Sequence, residues 1–229
     1  MPSAPKATLP QRRLPSGKQR SSRNKDASTP KRVVELTTLG ATCEQWFTNR
    51  DQTPFEFQRA TWQAMMAGRN GLLHAPTGTG KTLAAWFGAL CRSSALSTHH
   101  KKTGIRIIWI TPLRALATDT ARALEEPLAD LTEMLGSHWQ VGTRTGDTSA
   151  ADRRRLRQNW PEALIITPES LSILLSLEDS QEIFSDLDTV IVDEWHELLG
   201  TKRGVQTELA LSRLRAIRPG VITWGLSAT

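Results

Sequence analysis

An α/β domain, with a mostly parallel β-sheet carrying helices on both faces, is the fold class that the 229-residue sequence predicts. Three observations carry that reading. Short runs rich in β-branched residues alternate with helix-patterned stretches, most of them nine residues or longer, the rhythm of strand–helix–strand units. Several of these runs are apolar almost throughout, as strands covered on both faces require. A Gly-rich turn also stands between the first strand and the helix after it. Hydrophobic content of 38% with 23% charge excludes full disorder, and no apolar run approaches the roughly 18 residues of a membrane helix.

Each element follows in chain order. Thr53-Pro54-Phe55-Glu56 reads as a capping box with Pro at the first helical position, opening a helix to about Ala67 that Gly68 ends. Gly71-Leu72-Leu73-His74 is a short strand, and an Ala/Leu-rich helix follows the turn at 75–82 and runs to about Cys91. After a polar loop over 93–103, the run 105–110 is a strand by β-branched content. The pattern then predicts a helix at 113–135, a strand at 139–144, a helix at 150–158, a strand at 163–167 and a helix at 169–178. A strand at 188–192, a helix at about 204–217 and a strand at 221–226 complete it, without internal repeats.

The charge is unevenly placed. Lys and Arg number 29 against 23 Asp and Glu, a net +6. Residues 1–32 hold nine basic residues and one acid, Asp26, and so carry +8, leaving −2 on the remaining 197 residues. Five prolines and almost no large apolar side chains predict a disordered basic tail over 1–32, with the folded domain at 33–229. A non-specific nucleic-acid arm and a transit peptide are both readings of that tail, although the prolines oppose the helix of a transit signal. No apolar segment of a secretion signal is present. Cys43 and Cys91 stand far apart and match neither a zinc spacing nor a disulfide framework.

Ala75-Pro76-Thr77-Gly78-Thr79-Gly80-Lys81-Thr82 fits A-x-x-x-x-G-K-T, a phosphate-binding loop in its required strand-to-helix context. Gly78 and Gly80 permit the backbone angles that turn successive N–H groups inward at a helix N-terminus. Lys81 supplies a point charge for the β- and γ-phosphates, and the Thr82 hydroxyl is a ligand for Mg²⁺. A plain Gly/Thr turn is the bland alternative, which the in-frame G-K-T and its flanks oppose. About 110 residues on, the apolar run 190–192 delivers Asp193 and Glu194 to the carboxyl end of a strand, where ligands bind in such sheets. Asp193 suits holding Mg²⁺, and Glu194 suits orienting and deprotonating an attacking water. Alone, such a pair reads as a solvated turn.

In combination, these motifs resemble a superfamily 2 DExH-box DNA/RNA helicase, specifically the first of its two RecA-like domains, a P-loop NTPase fold. The loop at 75–82 is similar to motif I, and Asp193-Glu194-Trp195-His196 to motif II. Thr111-Pro112-Leu113-Arg114-Ala115-Leu116-Ala117 resembles motif Ia, Thr145-Gly146-Asp147 motif Ib, and Thr167-Pro168-Glu169-Ser170-Leu171 the T-P-E-S element. Ser227-Ala228-Thr229 resembles motif III, and Gln58, 23 residues before Lys81, the glutamine that reads adenine. The stretch 193–211 is similar to the Lhr (large helicase-related) group, nearest the bacterial ligase-associated DExH-box helicases.

The resemblance implies ATP and Mg²⁺ as ligands, with Lys81, Asp193, Glu194 and His196 catalytic and Thr77 to Thr82 around the phosphates. It implies that Arg114, Thr145, Gly146, Thr167 and Pro168 face a nucleic-acid backbone, a sequence-independent and salt-dependent mode of binding. His196, Ser227 and Thr229 look like the set coupling the γ-phosphate to the strand. By family, the partner is single-stranded or partly duplex DNA, movement is 3′ to 5′, and the setting is bacterial DNA repair. A monomer in the cytoplasm, near the nucleoid and repair ligases or nucleases, goes with it. The second RecA-like half and its arginine fingers are not seen before Thr229, so poor hydrolysis and no unwinding are expected of this chain alone.

Competing readings are an RNA or RNA:DNA helicase, a non-catalytic nucleic-acid-binding module using the tail, and a P-loop signalling NTPase. Arg153-Arg154-Arg155-Leu156-Arg157 reads as a solvated basic face or as a run close to nucleic acid. His99-His100-Lys101-Lys102 lies in a polar loop without metal-ligand spacing, and most of the eight Trp read as core or interface packing.

Overall fold

The computed structural model describes residues 29–96, 104–135 and 139–228. The tail up to residue 28, the His99-His100-Lys101-Lys102 loop and Thr229 lie outside the described residues. Helices α1 (Thr29–Thr48) and α2 (Glu56–Met66) lead into β1 (Gly71–His74) and α3 (Lys81–Leu96). Strand β2 (Ile107–Ile110), α4 (Arg114–Glu125), α5 (Leu128–Leu135), β3 (Val141–Arg144) and α6 (Ala150–Gln158) follow. Then come β4 (Ala163–Ile166), α7 (Pro168–Leu175), α8 (Ser180–Ile183), β5 (Thr189–Val192), α9 (Trp195–Leu198), α10 (Lys202–Ile217) and β6 (Ile222–Ser227).

The six strands form one sheet in the order β1-β6-β5-β2-β4-β3, with every pairing parallel. Parallel pairing forces each connection to cross back over the sheet, which brings all six carboxyl ends to one edge. The central strands β2, β4 and β5 are buried at every residue. Successive side chains point to opposite faces, so Ile107, Trp109, Ile165 and Ile191 enter one core while Ile108, Ile110, Leu164, Val190 and Val192 enter the other. Helices α1 and α3 cover the first face, with Trp86 and Phe87 fully buried, and α7 and α10 cover the second through Leu171, Leu174, Leu211 and Leu214.

Several boundaries differ from expectation for identifiable reasons. Helix α1 begins at Thr29, so the expected tail boundary at 32/33 falls inside a helix. Its buried residues Cys43, Trp46 and Phe47, with Leu39 packed beside them, form a helical stripe against α3. The helix expected from Thr53-Pro54 opens instead at Glu56, because the Phe55 N–H donates to Gln58 Oε1 at 2.9 Å. The single helix expected over 113–135 breaks at Pro127, which has no N–H to continue the ladder. Six of the eight Trp are buried in the core, and Trp160 and Trp195 are partly buried against it.

Candidate nucleotide and nucleic-acid site

The loop after β1 adopts the conformation its glycines allow. Gly78 and Gly80 sit at φ of 77° and 85°, which turns the chain into the N-terminus of α3 at Lys81. Thr79 Oγ1 donates to the Pro76 carbonyl at 2.7 Å and closes the turn. Lys81 is only 8% exposed, and its Nζ donates to the carbonyls of Ala75 and of Pro76, the latter at 2.8 Å. A buried ammonium held by loop carbonyls sits at the loop, where phosphate oxygens are the matching ligand. Thr77 and Gly78 lie exposed on the outer side of the turn, and Thr82 opens α3 half-buried beside Lys81.

Gln58 braces this loop from behind. Its Nε2 donates to the Gly80 carbonyl at 3.1 Å while its Oε1 accepts from Phe55 N–H, and the side chain is 2% exposed. Both ends of the amide are thus engaged within the chain, tying the start of α2 to the phosphate loop.

The carboxylates arrive on β5, two strands from β1 across β6. Asp193 N–H donates to Ile110 O, and Asp193 Oδ2 accepts from the Trp109 indole N–H at 3.2 Å. Burial pushes the Asp193 carboxyl above its ordinary range, and Glu194 adds to the rise, against the stabilising Trp109 N–H and the Lys81 charge. A carboxylate desolvated in this way favours a nearby cation. Glu194 occupies the left-handed region at φ 45° and ψ 47°, a strained conformation for a residue with a Cβ. That turn carries its carboxylate back toward His196. The His196 Nδ1 lies 3.5 Å from Glu194 Oε2 and 3.2 Å from Ser227 Oγ, and its Nε2 lies 3.5 Å from Glu197. Ser227 ends β6 beside His74, and its carbonyl accepts from Ala75 N–H at 3.2 Å. Phosphate loop, acidic turn and the end of β6 are therefore joined by direct contacts through His196 and Ser227.

The second group gathers further along the same edge. The β3–β4 register pairs Arg144 with Ile166, which sets the Thr145 and Thr167 turns side by side. Arg114, at the start of α4, donates to Asp147 at 2.9 Å and lies against Gly146, where a Cβ would stand 3.0 Å from its Cζ. Thr145 Oγ1 accepts from Asp147 N–H at 3.3 Å. Thr167 is 2% exposed, its hydroxyl shared with Ser170 at 3.2 Å, and Pro168 is buried in the first turn of α7, so this turn can offer backbone rather than side-chain groups. Arg203, to which sequence reasoning gave no role, joins the group. Its guanidinium pairs with Glu169 at 2.7 Å and donates to the Pro112 carbonyl at 3.1 Å, fastening α10 to the turns after β2 and β4.

Residues 55–229 match the DEAD/DEAH box helicase family. A protein of Escherichia coli named Lhr helicase/uracil glycosylase is 40% identical over 197 residues, 80% of this chain and 13% of that protein. The ATP-dependent helicase Lhr-Core of Methanothermobacter thermautotrophicus is 37% identical over 191 residues, 81% of this chain and 22% of its own length. The solved structure of Mycobacterium smegmatis helicase Lhr bound to ssDNA and AMP-PNP superposes with a TM-score of 0.74 at 37% identity, covering 85% of this chain and 25% of that one. The chain thus spans a quarter or less of these relatives. With a six-stranded parallel sheet, a phosphate loop and the Asp193-Glu194-Trp195-His196 turn on one edge, the chain belongs to the DEAD/DEAH box helicase family.

Proposed function

We propose that this chain forms the ATP-binding wall of an Lhr-type motor that couples ATP hydrolysis to movement along single-stranded DNA. The arrangement of Lys81, Asp193 and Glu194 around the ends of β1 and β5 carries the reading. Lys81 and the N–H groups of 77–82 bind the phosphates. The Thr82 hydroxyl and the Asp193 carboxylate are the residues to hold Mg²⁺, which when bound with ATP draws negative charge from the phosphates. Glu194 takes a proton from the attacking water, and its left-handed turn fixes the direction of that carboxylate. Gln58 carries the adenine preference, which requires its amide to exchange one of its present partners for the base. His196 and Ser227 report the state of the phosphates to the second group, where Arg114 and the Thr145, Gly146, Thr167 and Pro168 turns hold the backbone of the strand.

DNA rather than RNA, 3′ to 5′ movement and a bacterial repair setting belong to this proposal, as does a coupling role for Thr229 together with that of Ser227. The named ssDNA ligand of the M. smegmatis relative supports the choice of DNA. The test is calorimetric binding of an ATP analogue with Mg²⁺ to wild type, Lys81→Ala and Glu194→Gln. Lys81→Ala should weaken binding at least tenfold, and Glu194→Gln should leave it intact. Equal affinity in wild type and Lys81→Ala would remove the basis of the reading.

A further inference from the structure

Arg144 is an anomaly in this fold. It ends β3, the edge strand, and is 6% exposed, yet its Nη1 is fully buried with no hydrogen-bond partner. No carboxylate among the described residues pairs with it. The acids that follow it in the chain are committed elsewhere, Asp147 to Arg114 and Asp152 to Ser149 and Arg155. A guanidinium out of water without a counter-charge is costly, and such groups are ordinarily paired.

Its neighbours add positive charge. Residues 142 and 144 share one face of β3, and a Cβ on Gly142 would meet Leu156 of α6 at 3.1 Å, so α6 packs over that face. Chain direction reverses between β3 and α6, which returns the first turns of α6 over the end of the strand. Arg153 and Arg157 are four residues apart, hence on one side of α6, flanking Leu156. Burial and the charges of Arg157 and Arg153 together lower the affinity of Arg144 for its proton. Arg153 and Arg157 are themselves exposed and form no ion pair among the described residues. Arg153 and Arg157 thus lie on the helix that covers the Arg144 face of β3, and none of the three arginines has an ion pair among the described residues.

We propose that Arg144, Arg153 and Arg157 form a phosphate-binding site for the nucleic-acid backbone, extending the track of the Thr145 and Thr167 turns outward past the β3 edge. The inference rests on the nucleic-acid reading above. Guanidinium groups suit phosphodiester oxygens by fork geometry, and backbone contacts fix position without reading sequence. A phosphate at this end of β3 would also bring the counter-charge that Arg144 lacks among the described residues.

The test is fluorescence anisotropy of labelled single-stranded DNA with the full chain across a salt series, with a nucleotide-binding arm. The variants are Arg153→Gln/Arg157→Gln and a charge-matched control, Arg154→Gln/Arg155→Gln. Each single-strand phosphate contact contributes about 0.7 to the slope of log affinity against log salt, so loss of two lowers it by about 1.4. The first variant should show that drop and an affinity loss of about tenfold or more at low salt, with ATP-analogue affinity unchanged. The control should keep the wild-type slope. Arg144→Gln should bind DNA more weakly, and Arg144→Lys should restore part of the loss. Matching slopes in the two double variants overturn the site while leaving the function reading intact. An effect confined to ATP-analogue or inorganic phosphate binding also overturns it. If the wild-type chain binds no DNA, both readings fall.

Discussion

The two glycines of the phosphate loop should respond to alanine very differently. Both lie at positive φ, 77° for Gly78 and 85° for Gly80, so an alanine at either suffers about 1–2 kcal/mol of left-handed strain. Their surroundings part them. A Cβ on Gly78 meets nothing within 4 Å, whereas one on Gly80 stands 2.7 Å from Gln58 Nε2. Gln58 is 2% exposed, so a move that clears the Cβ without a replacement partner leaves its amide buried and unpaired. Displacing it breaks the bond to Gly80 O and leaves a buried amide unpaired, about 1–3 kcal/mol more. Gly78→Ala is therefore expected to cost about 1–2 kcal/mol and Gly80→Ala about 2–5. In thermal melts the falls should be about 4 °C and about 10 °C for a domain of this size. The stiffer unfolded chain offsets part of both and cancels in the comparison. A double-mutant cycle isolates the cause, since Gln58→Ala removes the collision and Gly80→Ala should then cost no more than Gly78→Ala. The coupling should be about 1–3 kcal/mol. Equal melting points for the two alanine variants, or an additive cycle, would refute the argument.

The other expectations concern charge, backbone approach and coupling. Burial raises the Asp193 carboxyl, so the native chain holds that proton more tightly than the unfolded chain. Its contribution to stability is complete below the unfolded value of about 4 and is lost as pH climbs through the raised native value. Asp193→Asn should be more stable than wild type at neutral pH and flatten the profile above about pH 4 in urea titrations, while Mg²⁺-dependent nucleotide binding falls. Gly204→Ala should destabilise by about 2–4 kcal/mol, because its Cβ would stand 2.0 Å from the Leu198 carbonyl oxygen, a backbone atom that cannot turn aside. Unfolding at a wild-type urea midpoint would contradict it. His196→Ala breaks the contacts to Ser227 and Glu194. ATP-analogue affinity should survive, but the change in that affinity on adding single-stranded DNA should disappear.

Much of the fold was legible because local and global demands agree. The runs at 107–110, 163–166 and 189–192 are buried on both faces, and a sequence shows that as uninterrupted apolar character. The phosphate loop was legible because its glycines are needed locally, whatever the rest of the chain does. Helix α1 was not, although Leu39, Cys43, Trp46 and Phe47 follow helical spacing. Its first residues carry the proline and basic composition of the preceding tail, and that composition masked the period. Cys43 and Cys91 show the same limit: 48 residues of separation gave no sign of contact, yet packing α1 on α3 sets their sulfurs 3.0 Å apart.

The site divides along the same line. Lys81, Asp193 and Glu194 could be proposed from sequence because a phosphate-loop pattern and an acidic strand end are short-range signals. The brace that Gln58 makes could not, since its two hydrogen bonds join the start of one helix to a loop 22 residues away. Arg203 and Arg144 were hidden more deeply. Each looks in sequence like one arginine among many, and its meaning depends on partners brought by the sheet. For Arg203 those partners are Glu169 and Pro112 O. For Arg144 the telling feature is that no acid among the described residues pairs with it, which strand register and packing alone reveal. Net charge could not reveal it either. The body carries −2 overall, yet Arg144 at the end of β3 and Arg153 and Arg157 on α6 set a local excess of positive charge, and an anion responds to the charges within about 10 Å of it and not to the sum over the chain.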